Sequence, residues 1–200
     1  MPLSKDQISG LGIAFNEASL RGVEVDAERF LCGITLSVLS LPEGDTPPSD
    51  PKLQLLPYPV GRVSASLRSS LSDVPVAKAQ TFALPDLLEV VRGFGRQPIY
   101  GWEFIDADEK QFESWSNNLS LDWKGVSSAM RHSISRFQED VTNSRLLDLR
   151  VWFNEIGFRG STGEELEISD VIAGGKRWWD GLYSGDKRTQ GAGIVPGQPS

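Results

Sequence analysis

Apolar and polar residues alternate with a period of two along most of the chain. Phe30, Cys32, Ile34, Leu36 and Val38 fall on one face of an extended segment, the pattern of a half-buried strand. Ala18 to Val25 precedes it across Asp26-Ala27-Glu28-Arg29, which predicts a hairpin. Val63, Ala65 and Leu67 alternate against Arg62, Ser64, Ser66 and Arg68. Tyr100, Trp102 and Phe104 line one side of a further run. Trp115, Asn117, Leu119, Leu121 and Trp123 form the most regular alternation of all. Strands are also predicted from His132 to Val141 and through Leu147, Leu149, Val151 and Phe153. About seven strands joined mostly by short links favour antiparallel pairing with one solvated face.

Two segments carry a helical period instead. Leu84, Leu87, Leu88 and Val91 are spaced i, i+3, i+4, i+7, with Pro85 in the first turn and Gly93 where a cap belongs. The second helix runs from about Ser169, its expected N-cap, to Tyr183, with Gly185 as terminator. Val171, Ile172, Gly175, Trp178, Trp179, Leu182 and Tyr183 share one face of it. Gly175 lies near the middle of that face, which predicts close approach of the helix backbone to the sheet. The expected fold is α+β: a mainly antiparallel sheet, sandwich or half-open barrel, with two packed helices. It forms one domain over residues 1–185, with an exposed loop from Leu41 to Pro51 and a flexible tail from Asp186 to Ser200.

Composition narrows the function classes. The 200 residues hold 20 basic and 27 acidic side chains, a net charge of −7, which argues against binding nucleic acid through its phosphates. One cysteine excludes an internal disulfide, and one cysteine with one histidine cannot supply the four ligands of a structural zinc. Met1 to Gly12 has no apolar core of signal-peptide length, and no apolar run nears the ~18–20 residues of a membrane span. A cytoplasmic protein without membrane or nucleic-acid partners is expected.

The motifs that invite chemistry fail on spacing or context. Gly174-Gly175-Lys176 would need a glycine at Asp170 and a Ser or Thr at Arg177 to be a phosphate loop. Gly93-Phe94-Gly95 has Pro98 in place of the third fingerprint glycine and follows a helix rather than a strand. Gly125 to Ala129 lacks the second glycine of a nucleophile elbow. Any histidine-dependent triad would have to use His132, which lies about five residues beyond Ser127. Cys32 shares its face with Phe30 and Ile34 and reads as a small hydrophobe. Asp106-Ala107-Asp108-Glu109 reads as a solvated turn, with a weak cation site as the alternative. Glu164, Glu165 and Glu167 read the same way. No cofactor is expected.

What remains is the polar side of the strands. Arg62, Arg68, His132, Arg136, Arg150 and Trp152 are expected to project opposite the apolar positions, and Trp152 is a large aromatic among Asp148, Arg150 and Asn154. Arginines outnumber lysines 13 to 7, and arginine with tryptophan is the composition of binding hot spots. These six residues are the candidate partner or ligand site. The alternative is a second layer that covers the face, with the arginines paired to carboxylates.

Gly174-Gly175-Lys176-Arg177-Trp178-Trp179-Asp180, with Tyr100 to Phe104 and Arg150 to Phe153 upstream, resembles a group of uncharacterised bacterial proteins of similar length. They likewise carry a Trp-Trp helix near the C-terminus. The resemblance implies a bacterial cytosolic origin and brings no activity and no catalytic residue. The leading expectation is a non-catalytic module that binds a protein partner or associates with itself. A rival is an enzyme acting on a phosphorylated or sugar substrate through Glu103, Asp106 or Asp148 with arginines. A third is a structural subunit of a phage or secretion particle.

Overall fold

The computed structural model describes residues 3–44, 51–69, 77–99, 101–190 and 192–194. Two long strands form the spine of the fold. β3 (Lys52–Ser69) and β6 (Arg145–Arg159) run antiparallel from the Gln54–Arg159 pair to the Ser69–Arg145 pair, with a register slip between Val60 and Arg62. Each spine strand outruns its outer neighbours and so takes two of them. β2 (Leu31–Ser37) and β4 (Leu121–Lys124) pair with successive parts of β3. β5 (His132–Asp140) and the short β7 (Glu165–Leu166) do the same along β6. β1 (Ser19–Asp26) joins β2 through the expected hairpin. The result is one open antiparallel sheet of seven strands in an α+β fold.

The outermost strands β1 and β5 do not pair with each other; residues 97–99 and 101–106 bridge them. Pro98 forms a bridge with Ser19, and Ile99 N donates to Ala18 O at 2.7 Å. On the other side Ser135 N donates to Phe104 O at 2.9 Å and Asp106 N to Ser133 O at 2.8 Å. The Gln97 amide accepts from Glu139 N at 3.1 Å and donates to Glu139 O, imitating a strand partner.

Cross-strand neighbours share a face of a sheet, so the register sorts the side chains. Val63, Ala65 and Leu67 stand beside Val151, Leu149 and Leu147, and these beside Ile134, Arg136 and Gln138. This face, with Cys32, Ile34, Leu36, Leu53 and Leu55, makes the main core. α1 (Lys5–Phe15) adds Leu11, Ala14 and Phe15 to it, and α2 (Leu87–Arg92) adds Leu87 and Val91. Burial pushes the Cys32 thiol up to about 12, so it stays protonated and unreactive.

α1 is a helix that the alternation of the chain did not announce. Ser4 Oγ accepts from Gln7 N at 3.2 Å and Gln7 Oε1 accepts from Ser4 N at 2.8 Å, a capping box. α4 (Ile168–Ser184) starts one residue ahead of the expected Ser169, with Glu167 as N-cap. It stops at Gly185, whose φ of 78° is the left-handed conformation glycine tolerates. α4 packs on α1. A Cβ on Gly175 would lie 2.5 Å from Ala14 Cα, and one on Gly10 would lie 2.8 Å from Ile172 Cγ2. The close approach expected at Gly175 is real, but its partner is α1 and not the sheet.

Four other expectations meet a different structure. The run from Trp115 to Trp123 is strand only at Leu121–Lys124. Before it comes α3 (Glu109–Glu113) and a series of turns, and Ser120 Oγ takes the place of a strand partner by accepting from Leu67 N at 2.7 Å. Gly101–Glu103 is a single 3-10 turn rather than a strand, while Tyr100 lies outside the described residues. Leu41, at the start of the predicted exposed loop, is buried with Trp178 and Leu182 in a small second core; residues 45–50 lie outside the described set. In the expected tail, Lys187–Thr189 forms a 3-10 turn and Thr189 is buried; residues 191 and 195–200 lie outside the described set. No described helix is long and apolar enough to cross a membrane.

Candidate functional site

Four of the six candidate residues meet on the face of the sheet opposite the core. Arg62 pairs across β3 and β6 with Trp152, Ser64 with Arg150, and Ser66 with Asp148, while Arg68 extends the β3 row. This polar face is largely covered, with Arg62, Arg68 and Trp152 only partly exposed. The stretch from Asp106 to Ser120 lies over it as a second layer, held by Phe112, whose ring meets Trp152 edge-on at 4.8 Å. The guanidinium carbons of Arg62 and Arg150 lie 5.2 and 5.3 Å from the Trp152 ring centre, one cation–π contact each. Trp152 is half-buried and explained by these contacts.

The arginines are paired. Arg150 is 3% exposed; its Nη2 donates to Ser133 Oγ at 2.9 Å and Ala107 O at 3.2 Å, and reaches Glu109 Oε2 at 2.7 Å. Arg62 Nε donates to Asp122 Oδ1 at 2.6 Å, and Arg68 forms an ion pair with Asp148. The covered-face alternative therefore describes Arg150, and it describes the pairing of Arg62 and Arg68.

His132 and Arg136 stand elsewhere. They lie on the core side of β5, beside Phe153 and Leu149, so the expectation that they project opposite the apolar positions is corrected. The hydrophobic alternation of β5 is weak because this edge strand carries His132, Arg136 and Gln138 on its inward side. Arg136 Nη2 donates to Gln97 O at 3.3 Å. His132 Nδ1 donates to Asp106 Oδ2 at 2.8 Å and its Nε2 accepts from Leu3 N at 3.0 Å, which sets the tautomer. Both ring nitrogens are thus engaged.

Asp106 also accepts from Ser133 N at 2.7 Å. Asp108 caps α3, accepting from Lys110 N at 3.0 Å, and Glu109 takes Arg150. The three carboxylates expected in a solvated turn go to three separate structural partners. Among the described residues, no three His, Cys, Asp or Glu side chains gather to hold a metal ion.

Asp148 is the carboxylate with the most altered chemistry. Burial pushes it up to about 6, against the pull of the Arg68 guanidinium. An aspartate whose folded value lies above its unfolded value of about 3.9 binds its proton more tightly in the folded state. It therefore contributes stability below pH 4 that is lost as the pH rises through 6. Raising the pH from 4 to 7 should cost the wild type about 2–3 kcal/mol relative to an Asp148→Asn variant. Urea midpoints of the two proteins across that range test this; parallel pH profiles would show that Asp148 titrates normally. The adjoining void of about 10 Å³, lined by Phe112, Trp115 and Asp148 among others, has no room for a substrate.

The large concavity lies on the other side of the molecule, between α1 and α4. It measures about 600 Å³. Along α1 it is lined by Lys5, Ile8, Ser9, Gly12, Ile13 and Asn16, a single helical stripe. Trp179 and Tyr183, one turn apart on α4, form the facing wall, and Gly101 and Ile105 the floor. Trp179 Nε1 donates to Ile13 O at 3.0 Å, which fixes the indole. Gly101 sits so close to Gly12 that a side chain there would meet the Gly12 carbonyl. Ile13 and Tyr183 are 40% and 65% exposed, two of the large hydrophobics this molecule leaves open to water. Period-two alternation does not mark this site, because α1 carries a helical spacing. The signal was present as Ser4-x-x-Gln7 ahead of Ile8, Leu11 and Phe15.

Comparison with protein-family models, curated proteins and solved structures finds no match to this chain.

Proposed function

We propose that the protein is a non-catalytic binding module whose seat is the cleft between α1 and α4 rather than the polar face of the sheet. The observation that carries this is an apolar concavity of about 600 Å³, walled by Ile8, Ile13, Trp179 and Tyr183. Pockets of roughly 300–1,000 Å³ with apolar walls and a few polar groups are the usual form of ligand sites. The groups that catalysis would recruit are committed to other work. His132 is bonded at both nitrogens, Cys32 is buried with a thiol at about 12, and the buried Asp148 is ion-paired with Arg68. Two convergent, reachable carboxylates with one perturbed would favour an enzyme. Asp148 is perturbed but covered. A cytoplasmic setting belongs to the same reading, supported by the free thiol of Cys32.

Gentle purification from the source organism, followed by native mass spectrometry, tests the seat. Wild-type protein should retain a ligand or partner that a Ser9→Trp variant, with its cleft filled, loses at unchanged melting temperature. Retention that ignores Ser9→Trp but disappears in a folded Arg62→Glu variant would return the seat to the sheet.

A further inference from the structure

We propose that the α1–α4 cleft takes a linear amphipathic molecule with a single anionic head, a free carboxylate being the simplest case. The inference rests on the cleft being the binding seat and adds the chemistry of its occupant.

Shape comes first. The lining residues of α1 run from Lys5 to Asn16, and at 1.5 Å per residue that stripe is about 16 Å long. The cleft is thus a trough along the helix rather than a round cup, and a chain-like molecule fills a trough. The two ends differ. One end carries Lys5 and, one turn on, Ser9, both exposed. Among the described lining residues, Lys5 is the one with a charge. The middle and far end carry Ile13, Trp179 and Tyr183. Asn16 closes the far end with its Oδ1 turned to Gly101 N at 3.5 Å. A cationic, hydroxyl-bearing end and an apolar body select an anion joined to an apolar chain.

The walls are set before the ligand arrives. Trp179 is pinned by its bond to Ile13 O, and α1 is pressed on α4 at Ala14 and Gly175. Preorganised apolar walls spare the ordering cost that weakens binding elsewhere. Ile13 and Tyr183, exposed in the cleft, would be covered by the chain.

The test is calorimetric titration of the full-length protein with dodecanoate below its micelle concentration, alongside dodecanol, dodecyltrimethylammonium and octanoate. Dodecanoate should bind one to one. It should bind more tightly than octanoate, by up to about fourfold for each added methylene that is buried. It should exceed the cationic amphiphile clearly. Lys5→Glu should weaken dodecanoate by roughly threefold to tenfold and favour the cation. That substitution suits the fold, because an acidic residue in the first turn of α1 meets the positive end of the helix dipole. Ser9→Trp should abolish binding of all four probes.

Equal binding of dodecanoate, dodecanol and the cation, lost on Ser9→Trp, would overturn the anionic head while leaving the cleft as the seat. Binding that survives Ser9→Trp overturns both. So does the absence of binding by every probe together with a native preparation that retains nothing in the cleft. Attachment only to vesicles of anionic phospholipid, without affinity for free dodecanoate, overturns the assignment in favour of a membrane surface.

Discussion

Arg150→Ala is expected to lower the stability of the protein by about 3 kcal/mol, which for a chain of this size is roughly 6–12 °C in melting temperature. The substitution removes donors from Ser133 Oγ and Ala107 O, and leaves Glu109 without its cation. It also withdraws the planar group on which Trp152 and Phe112 rest. The carbonyl and hydroxyl left behind are shielded by the layer above, so water cannot readily replace the lost donors. Glu109→Gln should cost far less, because that carboxylate is 59% exposed and can rehydrate. Thermal unfolding by circular dichroism separates the two. A near-wild-type melting temperature for Arg150→Ala would mean that the layer over the polar face is loose, and would restore Arg150 and Trp152 as a free surface.

The second large effect is expected at the crossing of α1 and α4. Gly175→Val should destabilise by about 3 kcal/mol or more. The first added atom would lie 2.5 Å from Ala14 Cα and 2.7 Å from Ala14 Cβ, and backbone cannot swing aside as a side chain does. Gly175→Ala is the sharper test because two effects oppose each other. Alanine gains about 1 kcal/mol of helix propensity over glycine, while overpacking costs about 1–3 kcal/mol. The contact distance makes overpacking win, so a net loss is expected. Combining it with Ala14→Gly should recover part of that loss. An alanine variant more stable than wild type would show that the helices can separate without penalty. Either glycine variant should also disturb the cleft, since both its walls are anchored at this crossing.

These two positions show what could be read from residue order and what could not. Alternation located β2, residues 63–67 of β3 and residues 147–153 of β6 because each has one face against a core. β1 followed from the hairpin spacing and β5 from a weaker pattern. It misled from Trp115 to Trp123, where Trp115 and Leu121 are buried for different reasons, one in a turn and one on a strand. A period of two arose there without an extended backbone. Arg150 looked like a hot spot since arginine beside tryptophan is the same string whether its partner is another molecule or another part of the chain. The covering layer begins more than 30 residues earlier, at Asp106, and no local pattern connects the two. The cleft was hidden for the opposite reason. Its helix was too short and too interrupted by glycine at Gly10 and Gly12 to stand out, although the Ser4–Gln7 capping box marked its start.

Residues 97–99 and 101–106 have a consequence for how this molecule meets others. A strand at the border of a sheet offers a row of amides and carbonyls on which a foreign strand can grow. Along β5 that row is already occupied at Ser133, Ser135 and Glu139, by Asp106, Phe104 and the Gln97 amide. A second chain could extend the sheet there only after this stretch had peeled away. Growth by backbone addition at β5 is thus gated by local unfolding, and recognition at rest is left to side chains.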